Sequence, residues 1–169
     1  MITVIIETRD SEVALAQALT RLVPAATEGI LREVIVVDHG SADGTLAVAD
    51  AAGCTIVEVA KLAGDPLRHA AECARGDWLM FLSPAAVLAP GWQDAAMAFV
   101  DRALLAGRAT ASVAIFYRGG MLTGWRARLL ALVSAVDGHL VAKAASLAAS
   151  ASASPSAASL ASGARRGAA

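Results

Sequence analysis

The 169-residue chain has few of the features that mark several common classes of protein. It holds only two cysteines, Cys54 and Cys73, and neither belongs to a CxxC pair. Isolated cysteines of this kind indicate neither a zinc site nor a disulfide framework. We interpret both as small buried hydrophobic residues of a protein from a reducing compartment.

An excess of charge of one sign is also lacking. The formal net charge is −1, and the sequence has no run of lysine and arginine interleaved with aromatic residues. Nucleic-acid binding depends on clustered positive charge that neutralises phosphates. The composition therefore excludes nucleic acid as an expected partner, and the sequence identifies no protein partner.

Long hydrophobic runs are absent as well. Although 57% of the residues are hydrophobic, no stretch reaches the roughly 18 uncharged apolar residues of a membrane-spanning helix. The N-terminal run ITVIIE is shorter than a signal-peptide core of roughly 7–15 residues and follows no charged segment. We expect one cytoplasmic domain with a real core, without a signal peptide or transmembrane segment.

The chain instead alternates strand-like and helix-like segments. Runs rich in β-branched residues predict strands, and apolar residues at helical spacing predict helices. The strands are predicted at residues 2–7, 32–38, 55–60 and 78–82, and the helices at residues 11–22, 45–53, 65–74 and 93–105. This order predicts an α/β fold with one mostly parallel sheet and helices on both faces.

Single residues predict where some of these helices begin and end. Ser11 is placed to cap the first helix, Pro24 to stop it, and Gly53 to close the second. Beyond the fourth helix, a strand is predicted at residues 109–118 and an arginine-bearing helix at residues 123–136. That last helix fits a core helix with exposed arginines better than an interfacial membrane helix.

The composition changes after Lys143. Residues 144–169 are nearly all alanine, serine and glycine, without a large apolar face to bury. We therefore assign residues 1–143 to the folded domain and interpret residues 144–169 as a low-complexity, disordered tail. Alanine could still give this tail transient helix.

Three sets of residues directly follow predicted strands. They are residues 7–10, 38–45 and 83–86. Ligands of parallel α/β sheets bind beyond the carboxyl ends of the strands. We expect these three sets to line a ligand site.

Three segments of the chain resemble the motifs of the family 2 glycosyltransferases in order and spacing. They read VIIETRDS, REVIVVDHGSADGT and ARGDWLMFLSPAAVLAPGW, where the family usually has VIIPTxNE, EVIVVDDGSxDGT and ARGDxLxFLDAD followed by xxxPGW. The resemblance is closest to a bacterial subgroup of short members. It covers residues 2–93 and extends more weakly to residue 143. It implies a GT-A fold and transfer of a sugar from a nucleotide-diphospho-sugar donor to an acceptor.

The resemblance also implies nucleotide-binding residues. Thr8 matches the threonine that contacts the base or ribose, and Asp10 takes the position of the usual asparagine. Asp38 matches the first aspartate of the VDDGS block and His39 replaces the second, while Glu7 replaces a proline. Asp38 could instead be a strand-end residue bonded to local backbone.

Three further residues match the family pattern. Arg68 takes the position of an arginine or asparagine that faces the diphosphate, although it could equally lie on an exposed helix surface. Asp43 can cap the following helix, and Asp77 fits the geometry at the start of the fourth strand.

The metal-binding motif departs from the family pattern. A divalent cation held by an Asp-x-Asp motif neutralises the leaving diphosphate in the GT-A fold. Ser83 and Ala85 occupy those positions here. The family implies Mg²⁺ or Mn²⁺, but the sequence does not supply its ligands.

The acceptor side is also weakly matched. Enzymes of this fold use a carboxylate from the later half of the domain as general base. The segment SAVDGHLVAK offers Asp137, with His139 nearby. An aspartate before Gly138 is also typical of a simple turn.

The sequence leaves two functions open. The first is a glycosyltransferase acting on a nucleotide-diphospho-sugar, and the second is a catalytically inactive domain that binds nucleotide or a protein partner. A Rossmann-type oxidoreductase is disfavoured because no GxGxxG motif follows the first strand.

Overall fold

Seven strands and five α-helices lie within the residues that the computed structural model describes, which are 1–107, 113–117, 120–123 and 138–152. The strands are β1 (Ile2–Thr8), β2 (Leu31–Asp38), β3 (Thr55–Glu58), β4 (Trp78–Leu82), β5 (Val113–Tyr117), β6 (Gly120–Thr123) and β7 (Gly138–Ala142). The α-helices are α1 (Glu12–Thr27), α2 (Thr45–Ala51), α3 (Pro66–Cys73), α4 (Trp92–Leu105) and α5 (Lys143–Ser152), and a short 3₁₀ helix spans Val59–Lys61.

The strands form one sheet in the order β3-β2-β1-β4-β7-β5-β6. The first four strands in this order pair in parallel. Strand β7 is antiparallel to both β4 and β5, so β5 runs in the same direction as β4. Five of the seven described strands therefore point one way, which confirms the predicted α/β class and its mostly parallel sheet.

Helices cover both faces of the sheet, as the alternation of strands and helices predicts. Helices α1, α2 and α4 pack on one face, where the core includes Leu15, Leu22 and Phe99. Helix α3 packs on the opposite face through small residues such as Ala70. Helix α5 contacts α3 on this second face.

Helix α1 continues past Pro24, so the prediction that this proline ends the helix is wrong. A proline removes only one backbone donor, and the carbonyl of Pro24 still accepts from the Glu28 amide at 2.9 Å. Gly29 ends the helix instead, with φ of +74°. Its amide donates to Ala26 and that of Ile30 to Ala25, the paired hydrogen bonds of a Schellman motif.

The structure also differs from the prediction at the alanine-rich segment and at the last strands. Residues 143–152 form α5, whose Ala145 and Leu147 pack against the core. Alanine has the highest helix propensity, and packing stabilises the helix further. Strands β6 and β7 were not predicted, and Thr123, the first residue of a predicted helix, ends β6. Residues 124–137 and 153–169 lie outside the described residues.

The two cysteines differ in exposure. Cys54 is half-buried, and burial raises the pKa of its thiol. Cys73 is exposed, so the prediction that both are buried is wrong for this residue. The inner face of α3 is occupied by alanines, including Ala70 and Ala71, which leaves Cys73 on the outer side. Within the described ranges, no helix has the length and apolar character needed to cross a membrane.

A polar cluster joins three strands at the edge of the sheet where β1 begins. Glu33 of β2 accepts from Thr3 Oγ1 at 3.1 Å and from Arg75 Nε at 2.7 Å. The Gly76 amide donates to Thr3 Oγ1 at 2.9 Å, and a Cβ on Gly76 would lie 2.7 Å from the Thr3 nitrogen. The Arg-Gly pair before β4 thus has a structural role, because it fixes the start of this strand against β1 and β2.

Glu33 is expected to make folding stability depend on pH. Burial acts to raise the pKa of Glu33, but hydrogen bonds from Arg75 and Thr3 and the charge of Arg75 outweigh it, so the pKa lies below its ordinary value of 4.5. A lowered pKa in the folded state gives stabilisation that is complete above the unfolded-state pKa and is lost as pH falls through the folded-state pKa.

We therefore expect Glu33→Gln to lower the free energy of unfolding by about 1–3 kcal/mol at neutral pH. The deficit relative to wild type should shrink between about pH 6 and about pH 3, because wild type loses this stabilisation there. Urea denaturation followed by circular dichroism measures both. Glu28→Gln at an exposed position is the control, and an equal deficit at both pH values would contradict the assignment.

Candidate functional site

The carboxyl ends of β1, β2 and β4 meet at one edge of the sheet. Thr8, the last residue of β1, is the register partner of Asp38, the last residue of β2. Leu82, the last residue of β4, lies beside β1 at Ile6. The structure therefore brings together the loops that follow these strands, as the parallel sheet predicts.

Asp38 is only 2% exposed, and its carboxylate is hydrogen-bonded within the protein. It accepts from the Gly40 and Ser41 amides at 3.0 Å each, from Ser41 Oγ, and from Thr8 Oγ1 at 3.3 Å. Burial acts to raise the pKa of Asp38, and hydrogen bonds led by those of Ser41 outweigh it and lower the pKa. This geometry agrees with the alternative of a strand-end residue bonded to local backbone.

Asp10 joins the loop after β1 to the loop after β2. Its Oδ1 accepts from the Ala42 amide at 2.8 Å, and its own amide donates to Ser41 Oγ at 3.0 Å. Asp10 has φ of +47°, a left-handed conformation that aspartate tolerates better than most residues. The position matched to the family asparagine is therefore used to hold the two loops together.

The start of α1 is joined to the start of α2 in the same way. Asp43 accepts from the Glu12 amide at 3.0 Å and from the amide of Thr45, the first residue of α2, at 2.9 Å. The N-cap of α2 is Gly44, without a side-chain capping hydrogen bond, so the prediction that Asp43 caps this helix is wrong by one position. In return, Glu12 Oε2 accepts from the Gly44 amide at 3.1 Å, and Thr45 Oγ1 accepts from the Ser11 amide at 2.8 Å. The GSADGT motif is thereby explained as a loop-joining motif.

Sequence reasoning missed part of this network. It took Ser11 as the cap of α1, but the Ser11 side chain makes no capping hydrogen bond and donates to the Arg9 carbonyl instead. It gave Glu12 no role, although an acidic residue in the first turn of a helix is a recognised pattern. The partner of Glu12 lies 32 residues away, so no local pattern identifies it.

His39 forms a hydrogen bond with Glu7 at this edge. Its Nε2 lies 2.9 Å from Glu7 Oε1, and its backbone amide donates to the Thr8 carbonyl at 2.9 Å. Both side chains remain accessible to solvent. The pair joins two positions at which this chain departs from the family pattern.

Arg68 lies on the exposed surface of α3. Its Nε pairs with Glu72 Oε1 at 2.9 Å across one helical turn. Among the described residues, no hydrogen bond joins Arg68 to Thr8, Asp10 or His39. In this conformation Arg68 lies on an exposed helix surface, which is the alternative to a position facing the diphosphate.

The loop after β4 closes into a turn. The Ala86 amide donates to the Ser83 carbonyl at 2.9 Å, Ser83 Oγ accepts from the Ala85 amide at 3.3 Å, and Pro84 occupies the second position. Serine followed by proline is favourable at these positions of a β-turn. The turn is thus well formed by its own residues.

The residues at this turn do not fit a divalent cation. Mg²⁺ and Mn²⁺ prefer carboxylate oxygens, whereas the side chains of Ser83 and Ala85 carry one hydroxyl and one methyl group. Nowhere in the described ranges do three or more histidine, cysteine, aspartate or glutamate side chains lie close enough together to hold a metal ion. The turn therefore supplies none of the carboxylate ligands that the family pattern provides for Mg²⁺ or Mn²⁺.

A cavity of about 360 Å³ opens at the same edge, between β1, β4 and β7. Its polar lining comes from Glu7, Ser83 and His139. The His139 ring stacks on Phe81 with 4.7 Å between ring centroids, and burial lowers the pKa of His139. The predicted general base, Asp137, lies outside the described residues.

Comparison with known proteins identifies one family. The family model described as glycosyl transferase family 2 matches residues 3–134. A search of curated proteins found no significant match.

Solved structures of glucosyl-3-phosphoglycerate synthase from Mycobacterium tuberculosis resemble this chain in fold. The complex with Mn²⁺, uridine diphosphate and glucosyl-3-phosphoglycerate has a TM-score of 0.57 and 20% sequence identity. The complex with Mn²⁺, uridine-diphosphate-glucose and phosphoglyceric acid has a TM-score of 0.57 and 22% identity. In both cases the match covers 85% of this chain and 57% of the synthase, so the chain spans little more than half the length of these enzymes.

The role of Asp38 can be tested by substitution. We expect Asp38→Asn to lower the free energy of unfolding by about 2 kcal/mol, because asparagine loses the negative charge and has only one acceptor oxygen, which cannot serve both the Gly40 and Ser41 amides and the Ser41 and Thr8 hydroxyls. Urea denaturation without any nucleotide measures this loss. Asp77→Asn, with an 87% exposed side chain, is the control and should change stability by less than about 0.5 kcal/mol. An unchanged stability with a loss of nucleotide binding would favour the nucleotide-facing role instead.

Proposed function

The chain belongs to glycosyl transferase family 2, and from this membership we propose that it binds a nucleotide-diphospho-sugar and transfers the sugar to an acceptor. The donor lies at the carboxyl edge of β1, β2 and β4. A cytoplasmic location in a bacterium, expected from the sequence, is part of the same proposal.

The observation that carries this proposal is the joined pair of loops beside an open cavity. Five hydrogen bonds between the segments 10–12 and 41–45 hold the loops after β1 and β2 in one arrangement. The cavity of about 360 Å³ opens at the same edge of the sheet, in the size range of small-molecule sites. A site that is organised before its ligand binds loses less conformational entropy on binding.

Thr8, Asp10, Asp38 and His39 lie around the proposed nucleotide. Asp38 is satisfied within the protein and acts by holding the Gly40 and Ser41 backbone. Thr8 is buried against it. Contacts with the ligand therefore fall to the exposed side chains and to loop backbone.

Arg68 is the proposed partner of the diphosphate. An exposed ion pair such as Arg68–Glu72 contributes only about 0.2–1 kcal/mol, so it opposes the exchange of Glu72 for a ligand only weakly. A diphosphate carries more negative charge than one carboxylate, and arginine binds phosphate oxygens in a bidentate geometry. Asp137 remains the proposed general base for the acceptor hydroxyl.

A second candidate function is a catalytically inactive domain that retains nucleotide binding or contacts a protein. The observation in its favour is the turn at residues 83–86, which offers no carboxylate where the family places its metal ligands. Without a bound cation, the leaving diphosphate loses several kcal/mol of transition-state stabilisation.

Titration calorimetry with uridine- and guanosine-diphospho-sugars, with and without Mn²⁺, tests the proposal. The glucosyl-3-phosphoglycerate synthase structures hold uridine diphosphate with Mn²⁺, which supports the uridine donors as first probes. We expect weak binding, with Kd of about 0.1–1 mM, because the turn at residues 83–86 supplies no carboxylate to hold a metal ion against the diphosphate. Saturating Mn²⁺ should change Kd by less than about twofold.

The outcomes separate the two functions. Binding together with release of nucleoside diphosphate in the presence of acceptor sugars supports sugar transfer, and binding without release supports the inactive domain. A tenfold tightening by Mn²⁺ would show that we misjudged the turn at residues 83–86. No binding of any nucleotide would rule out the proposed donor.

The missing carboxylates can also be restored. We expect the double variant Ser83→Asp, Ala85→Asp to gain Mn²⁺-dependent donor binding of about tenfold or more, because carboxylate oxygens then face the diphosphate. The isosteric double variant Ser83→Asn, Ala85→Asn controls for side-chain size without adding charge. Equal metal dependence in both variants would contradict the expectation.

A further inference from the structure

Glu7 stands out on β1 because the fold does not require it. Every other residue of this strand is buried, whereas Glu7 is exposed and its side chain is 48% accessible. Glutamate is also disfavoured in strands. Among the described residues, the Glu7 side chain has one hydrogen bond, to His39.

The Glu7 carboxylate is held in place with acceptor capacity to spare. His39 Nε2 contacts Oε1 at 2.9 Å, and the His39 backbone is fixed by its hydrogen bond to the Thr8 carbonyl. An ionised carboxylate offers about four acceptor sites. Within the described part of the chain, Oε2 has no hydrogen-bond partner, so no described residue competes with a ligand for this oxygen.

The chemistry of the cavity indicates what Glu7 would contact there. Glu7 is the one carboxylate in the described lining, which contains no lysine or arginine. His139 adds no charge near neutral pH, because burial lowers its pKa. A lining of one carboxylate, one hydroxyl and one neutral imidazole is poorly matched to a diphosphate. It is well matched to a neutral ligand that donates hydrogen bonds through hydroxyl groups.

We infer that Glu7, oriented by His39, binds a vicinal diol of the ligand by accepting hydrogen bonds from two adjacent hydroxyls. A carboxylate near the end of a strand binds ribose hydroxyls in this way in other α/β folds. The diol is supplied either by the ribose of the nucleotide or by the ring of the transferred sugar. This inference rests on the proposed function, since both sources belong to a nucleotide-diphospho-sugar.

Glu7→Gln tests the inference because glutamine keeps the shape and the acceptor for His39 but loses the negative charge. The matched control is Glu58→Gln, since Glu58 ends β3 at the same edge, is paired with Lys61 at 2.7 Å and lies outside the cavity lining. Calorimetry is run with three probes, which are UDP, 2′-deoxy-UDP and UDP-glucose. Thermal unfolding confirms that both variants are folded.

A hydrogen bond to a charged acceptor corresponds to about ten- to a hundredfold in affinity. If ribose supplies the diol, wild type and Glu58→Gln prefer UDP over 2′-deoxy-UDP by this factor, and Glu7→Gln loses the preference. If the sugar supplies it, they prefer UDP-glucose over UDP, and Glu7→Gln removes that preference instead. Either result supports the inference and identifies the source.

Two other results would overturn it. If all three proteins bind UDP and show the same probe preferences, Glu7 binds no diol, while the proposed function stands. If wild type binds none of the three probes, the inference and a uridine-diphospho-sugar donor fail together.

Discussion

The buried carboxylate of Asp38 is the constraint on which the arrangement of this site depends. An ionised side chain that is removed from water must be hydrogen-bonded, because leaving it unpaired costs several kcal/mol. The parallel register places it beside Thr8, and the loop after β2 folds back so that the Gly40 and Ser41 amides reach it. Ser41 Oγ in turn accepts a hydrogen bond from the Asp10 amide, so the hydrogen-bond network that begins at the Asp38 carboxylate extends to the loop after β1.

This dependence explains why one half of the site is well organised and the other differs from the family. The loops after β1 and β2 supply hydrogen-bond partners to each other. A change at Asp10, Asp38 or Asp43 would therefore leave several buried or backbone donors without acceptors. Among the residues that the structure describes, no hydrogen bond joins the loop after β4 to those two loops. Its turn is closed by the hydrogen bonds of Ser83 to the Ala85 and Ala86 amides, and Arg21 of α1 donates to the Ala86 carbonyl at 3.3 Å, so the turn forms without carboxylates. The polar residues of the loops after β1 and β2 are therefore needed for stability whether or not the protein is active. Acidic residues in the loop after β4 would be needed only for metal binding.

Much of the fold could be predicted because its strands are strongly patterned. The β-branched runs of β1, β2 and β4 are buried on both faces, and their order along the chain implies the parallel sheet. The failures concern elements whose state depends on partners distant in sequence. Pro24 remains inside α1 because Leu22 and Ala25 are buried in the core. Helix α5 forms where its alanines and Leu147 pack on the face of α3, and the short strand β7 lies between β4 and β5.

The candidate site also has features that could be predicted from the sequence and features that depend on residues distant in sequence. Local patterns of residue types were enough to predict the family, the α/β fold, the positions that follow the strands, and the replacement of metal-binding acids by Ser83 and Ala85. The contacts that those residues make depend on the assembled sheet. The Asp38 carboxylate accepts hydrogen bonds from the backbone of its own loop. The register of β1 against β2 brings Glu7 close to His39, and β7 brings His139 to the cavity. Hydrogen bonds and ion pairs form between atoms a few ångströms apart, and residues 32 positions apart reach that distance only when the sheet assembles.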